Sequence, residues 1–246
     1  MLQKTFVPLM MIGALGLTTP LPASDVALES GPTRTHLLEL YTSEGCSSCP
    51  PAEAWLSKLK DNPRLWQDFV PLAFHVDYWD RLGWRDPFAS KQWTARQYAY
   101  SARWQSSSVY TPGFVLDGHE WRNSGVPSAS SKSPGALKLS VANGESVSAV
   151  FKQTNGESKP LDLHVARLGF GLKINVKAGE NSGRTLLHDF VVLSLETTKL
   201  SGGKAELRSP VAAAANEDAS SRRAIVAWVT EPGQIEPIQA VGGWLR

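Results

Sequence analysis

Two different spacings of apolar residues divide this chain. From about His36 to Leu116 the apolar positions come as short unbroken runs or at helical intervals, whereas from Leu137 onward they alternate with polar ones. Leu37, Leu38 and Leu40 form a run suited to a buried strand, which enters a turn at Ser43-Glu44-Gly45. Ala52, Trp55, Leu56 and Leu59 then recur at i, i+3, i+4 and i+7, and Pro50 and Pro51 fit the first turn of a helix, where a missing N–H costs little. Phe69 to Val76 is apolar almost throughout, as in a strand covered on both faces. Asp86-Pro87 predicts the start of a second helix over about Phe88 to Trp104, and Phe114-Val115-Leu116 predicts a strand that turns at Asp117-Gly118. This half reads as a mixed α/β domain over residues 33–123.

In the other half Leu137, Leu139 and Val141 alternate, Asn143-Gly144 turns, and Val147, Ala149 and Phe151 alternate again, which predicts a β-hairpin. Further strands are expected at Leu161 to Val165, Leu172 to Val176, Leu186 to Leu195 and Ala224 to Thr230, so residues 136–246 read as an all-β, sandwich-like domain. Between the halves, residues 124–135 run SGVPSASSKSPG, with five serines and two prolines, and read as a linker. Seven of the nine tryptophans and all five tyrosines fall between Tyr41 and Trp121, which sharpens the division.

Charge adds little, because 25 basic and 23 acidic residues leave a formal net charge of +2 and give no field that argues for a nucleic-acid partner. The N-terminus adds more: Lys4, an apolar run from Phe6 to Leu17 and the small residue Ala23 predict a secretory signal peptide over residues 1–23. That run is short for a stable membrane span, and a periplasmic or secreted protein is expected. Two cysteines exclude a disulfide-rich scaffold.

Both cysteines lie within Cys46-Ser47-Ser48-Cys49, at the start of the first predicted helix. A stapling disulfide across so short a loop removes little entropy from the unfolded chain, so a structural role accounts for it poorly. Free N–H groups and the helix dipole at that position favour a thiolate, which makes Cys46 the expected solvent-reachable nucleophile and Cys49 the resolving thiol. His75, at the end of the second predicted strand, is either a proton shuttle for Cys46 or a structurally hydrogen-bonded ring. Tyr78 and Trp79 are candidate walls of a substrate groove, or simply core. His119, His164 and His188 are scattered and receive no role. The sequence has no phosphate-cradling glycine loop, no G-x-S-x-G elbow and no H-E-x-x-H helix.

The stretch from Leu38 to Ala52, together with Phe74 to Asp80 and Leu82-Gly83-Trp84, resembles the secreted bacterial family known as domain of unknown function 1223. The resemblance extends through Ala178 to Asn181 and Gly183 to Leu186. It implies a thioredoxin-like first domain, with Thr111-Pro112 as the loop whose cis proline faces the C-x-x-C, and so adds Pro112 to the catalytic set and Thr111 to the substrate contacts. Gly113 stands where such loops usually carry a polar residue.

The combined expectation is an α/β thioredoxin-like domain followed by an all-β domain, working as an exported thiol–disulfide oxidoreductase on a protein or small thiol/disulfide substrate. No cofactor and no metal are expected. Two alternatives stay open: a periplasmic carrier in which Cys46, Cys49 and His75 hold copper or zinc, and a non-enzymatic binding module with an inert dithiol.

Overall fold

A computed structural model describes residues 26–122, 125–156, 159–210 and 222–245; the predicted signal peptide lies outside them. In chain order the elements are β1 (Val26–Glu29), β2 (His36–Thr42), α1 (Pro50–Ser57), β3 (Phe69–His75), α2 (Lys91–Arg103), β4 (Gly113–Leu116) and β5 (His119–Glu120). They continue with β6 (Gly135–Ala142), β7 (Ser146–Gln153), β8 (Leu161–Gly169), β9 (Leu172–Asn175), β10 (Thr185–His188), β11 (Val191–Leu200), β12 (Lys204–Arg208), β13 (Arg223–Thr230) and β14 (Pro237–Leu245).

Most of these strands join one eight-stranded sheet in the order β14-β13-β8-β11-β3-β2-β4-β5. Only β2 with β3 and β3 with β11 run parallel; the other pairings in that sheet are antiparallel. This corrects the expected fold class. The chain is mostly β and does not form an α/β thioredoxin-like domain followed by an independent all-β one. The reason lies at the edge of β3. Its unpaired backbone groups need partners, and β11, far along the chain, supplies them: Val191 pairs with Ala73, and Ala73 N–H donates to Phe190 O at 2.8 Å. A run such as Phe69 to His75 shows that a strand is covered, not which strand lies beside it.

Pairing fixes which side chains share a face. Tyr41 pairs with Phe74, and both meet α2, Tyr41 through Tyr100 and Phe74 through Trp93. Leu40 pairs with Phe114 on the opposite face, where Trp55 of α1 packs edge-on against Phe114 at 5.3 Å. The two helices therefore cover opposite faces of the sheet. Beside α1, the four-stranded sheet β1-β6-β7-β12 packs Leu137, Leu139, Val147 and Phe151 against Leu163, Val165, Ile225 and Ala227. Strands β8 and β13 are thus buried on both sides, since Ala166, Leu168, Val226 and Trp228 face the other core.

The predicted turns at Asp117-Gly118 and Asn143-Gly144 are present, each with both residues at positive φ. The second helix starts later than Asp86-Pro87 predicts. Ser90 is its N-cap, accepting from Gln92 N–H at 3.1 Å, while Asp86 caps a separate short turn, its Oδ1 accepting from Phe88 N–H at 2.9 Å.

Candidate functional site

Cys49 is the N-cap residue of α1, and its carbonyl accepts from Ala52 N–H at 3.0 Å and Glu53 N–H at 3.1 Å. Pro50 and Pro51 occupy the first turn, where no N–H is missed. Cys46 and Cys49 are joined as a disulfide with Cα atoms 5.5 Å apart. Gly45, just before Cys46, lets Trp79 pack close to the loop: a Cβ there would stand 2.9 Å from Trp79 Cβ.

The other sequence-predicted residues gather around this loop to different degrees. The Thr111–Pro112 bond is cis, and Thr111 O lies 3.7 Å from Cys46 Sγ. Trp79 Nε1 donates to Thr111 Oγ1 at 2.8 Å, so Trp79 is tied to that segment, while Tyr78 sits half-buried beside it with ring centres 6.3 Å apart. His75 lies at the end of β3 and is buried, with Nδ1 2.7 Å from Asp86 Oδ2.

Cys46 is not solvent-reachable as expected; it is 1% exposed. Thr111 O and Ser48 Oγ lie against its sulfur, and its backbone is held by the strap Lys177 to Arg184 between β9 and β10. Asn181, wholly buried, donates through Nδ2 to Glu44 O and Cys46 O, both at 2.8 Å, and is itself held by Arg184 Nη1 at 2.7 Å. Glu180 Oε2 accepts from Ser47 N–H at 3.0 Å and Ser47 Oγ at 2.7 Å. Gly179 lets the strap pass close to Gly45, at a backbone φ of +76°.

Behind the loop lies a buried ionic cluster. His188, at the end of β10, has Nδ1 2.6 Å from Glu53 Oε2 on α1 and Nε2 3.1 Å from Glu44 Oε1. Glu53 also accepts from Thr42 Oγ1, and Glu44 Oε2 accepts from Trp84 Nε1 at 2.6 Å. Asp86 takes N–H bonds from Glu44 and Phe88, each at 2.9 Å, besides its contact with His75. Burial pulls His188 down, yet the flanking Glu53 and Glu44 carboxylates outweigh it and push the imidazole up to about 10. Burial would likewise lower His75, but Asp86 raises it; burial would raise Glu53 and Asp86, but their histidine partners hold both below the usual carboxylate range.

The sequence carried one signal for this cluster. Glu53 falls three residues before Leu56 on the inward side of α1, and an acid inside an apolar stripe needs a buried partner. That partner, His188, is 135 residues away.

The solved structures with a similar fold include a crystal structure of a protein from Agrobacterium tumefaciens. It shares 23% identity and a TM-score of 0.54, over 85% of this chain and 94% of that one. HBP35 of Porphyromonas gingivalis shares 13% identity and a TM-score of 0.56, over 88% of this chain and 76% of that one. These likenesses concern the fold. No curated protein matches. No helix among the described residues is long and apolar enough to cross a membrane. Residues 37–230 match the family model described as "Protein of unknown function (DUF1223)", and since that stretch takes in the Cys46–Cys49 loop, its strap and the buried cluster, the chain belongs to that family.

Proposed function

We propose that the protein is an exported thiol–disulfide oxidoreductase that works through Cys46 and Cys49. The observation that carries this reading is the placing of both cysteines, bonded to each other, in one loop at the N-terminus of α1, with the Thr111–Pro112 segment alongside Cys46 Sγ. A substrate thiolate attacks Cys46 Sγ, the S–S bond breaks, and Cys49 leaves as a thiolate favoured by the helix N-terminus. A second substrate thiolate attacks the mixed disulfide at the substrate sulfur and releases Cys46. Two electrons pass from substrate to protein, and two protons follow to the dithiol; the reverse sequence oxidises the protein. In this scheme Thr111, Pro112, Tyr78 and Trp79 line the approach to the sulfur, and His75 belongs to the buried network behind it.

The carrier reading with Cys46, Cys49 and His75 as ligands lacks geometric support, since Asp86 holds His75 Nδ1 and the donors that converge on His75 among the described residues are those of Glu53 and His188.

The test is asymmetric trapping in the compartment where the protein is made. Cys49→Ser is expected to accumulate mixed disulfides through Cys46, and Cys46→Ser to accumulate few or none, as read on non-reducing gels. Failure of both single variants to trap a partner, together with no exchange of the wild-type disulfide against glutathione, overturns the reading in favour of an inert pair.

A further inference from the structure

The buried cluster behind the loop is more than an ion network. One ligand atom from each of Glu53, His75 and His188 lies within 4.8 Å of the other two, and the three residues are 7%, 1% and 1% exposed. They come from α1, β3 and β10, so the fold, not local sequence, assembles them. The imidazole rings of His75 and His188 meet edge to face at 5.1 Å.

A second observation points to a ligand. His75 Nδ1 is fixed by Asp86 at 2.7 Å, and Asp86 is fixed by two backbone N–H groups. This is the carboxylate–histidine arrangement that sets a tautomer and orients a ring for metal binding. It leaves His75 Nε2 buried without a hydrogen-bond partner. His188 Nε2 and Glu44 Oε1, by contrast, are ion partners 3.1 Å apart. Buried polar atoms in native proteins are almost always paired, so His75 Nε2 needs an explanation. A cation held together with Glu53 and His188 would satisfy it.

We propose that Glu53, His75 and His188 form a buried three-residue Zn2+ site. Two imidazoles and one carboxylate suit zinc; magnesium and calcium take more oxygen donors. Tetrahedral ligands at zinc–donor distances of about 2.0–2.1 Å lie about 3.4 Å from one another, so side-chain rotations of about 1 Å close the site. The proposal departs from the expectation that no metal is involved, and it uses neither cysteine.

The experiment uses the full chain, stripped with a chelator and then titrated with ZnCl2 or CoCl2. We expect one equivalent of bound zinc, and a cobalt spectrum with ligand-field bands of low coordination but no thiolate charge-transfer band. Glu53→Gln, His75→Ala and His188→Gln should abolish stoichiometric binding, Asp86→Asn should weaken it by about 10–100-fold, and the Cys46→Ser/Cys49→Ser pair should retain it. No zinc bound by folded wild type, or binding lost in the cysteine pair, overturns the proposal. Should a histidine variant fail to fold by circular dichroism, the wild-type cobalt spectrum decides the ligand type alone. Thiol exchange with glutathione, measured on the same samples, is independent of either outcome.

Discussion

At the scale of single residues, Glu39 shows what an apolar run conceals. It sits within Leu37-Leu38-Glu39-Leu40, wholly buried, and holds Arg96 through bonds of 2.7 and 2.9 Å. Tyr41 and Tyr100 add hydroxyl bonds of 2.9 and 2.5 Å, and the Arg96 guanidinium lies over the Phe74, Tyr100 and Trp228 rings. Arg96→Ala strands that carboxylate inside the core and is expected to cost about 3–5 kcal/mol in urea unfolding; a change under about 1 kcal/mol would mean that the pair contributes little. His164 is the acid-sensitive counterpart. Burial against Trp228, with ring centres 5.1 Å apart, drives its imidazole down to about 3. The unfolded chain takes up that proton near the ordinary value of about 6.5, so stability from this residue is present above about 6.5 and is lost as pH falls toward 3. The slope is at most about 1.4 kcal/mol per pH unit for one proton. His164→Gln should flatten the melting-temperature profile between pH 6.5 and 4, and an unchanged profile would reject the assignment. Cys46 and Cys49 were legible in the sequence because their chemistry is carried by type and spacing. Glu39 and His188 were not, because a buried charge declares itself only through a partner that sequence distance hides.

At the scale of elements, the strap from Lys177 to Arg184 is bonded to the loop that carries the disulfide and is expected to control its reduction. The dihedral freedom of Gly179 and the amide of Asn181 let it lie flat over the loop, and Glu180 pins Ser47 between the two cysteines. These contacts predict two separable effects. Glu180→Ala removes only the exposed pin, so reduction of the disulfide by dithiothreitol should accelerate several-fold with little change in melting temperature. Asn181→Ala leaves the buried Glu44 carbonyl without its donor and the Cys46 carbonyl with Cys49 N–H alone, and should cost about 1–3 kcal/mol as well as exposing Cys46. Equal reduction rates in wild type and both variants would show that the strap does not gate the sulfur. Many of the strands were readable from period, but Leu186 to Leu195 is split between β10 and β11, β1, β5, β12 and β14 gave no such signal, and α1 runs Pro50–Ser57 with Leu59 in the 3-10 turn beyond it. α2 starts later than Asp86-Pro87 predicts because Asp86 caps only a short turn through Phe88 N–H while its other oxygen meets His75 and Glu44 N–H, and the helix takes its own cap at Ser90. Local preference names residues able to cap, and tertiary contacts choose among them.

For the whole molecule, the decisive feature is that the two halves share one sheet. Residues 125–135, the described part of the linker expected over 124–135, are held at several points: Arg64 donates to Pro127 O at 3.0 Å, Arg34 N–H to Lys132 O at 2.8 Å, and Gln239 Nε2 to Gly135 O at 2.8 Å. Ser128, Ala129 and Ser131 to Ser133 remain exposed, and a protease should cut there. A cut at that place severs the chain without touching the β3–β11 pairing, the His188–Glu53 contact or the Asn181 bonds to Glu44 and Cys46. The two fragments should therefore co-elute from a sizing column under native conditions and separate in denaturant. Residues 33–123 expressed alone should fare worse: they would carry the open edge of β3 and the buried carboxylates Glu44 and Glu53 without the imidazole that faces both. Such a fragment is expected to aggregate or to lose near-ultraviolet circular dichroism, and co-expression of residues 125–246 should restore it. A soluble, cooperatively melting fragment of residues 33–123 would mean that the first half stands by itself and that the shared sheet is a docking contact, not a condition of folding.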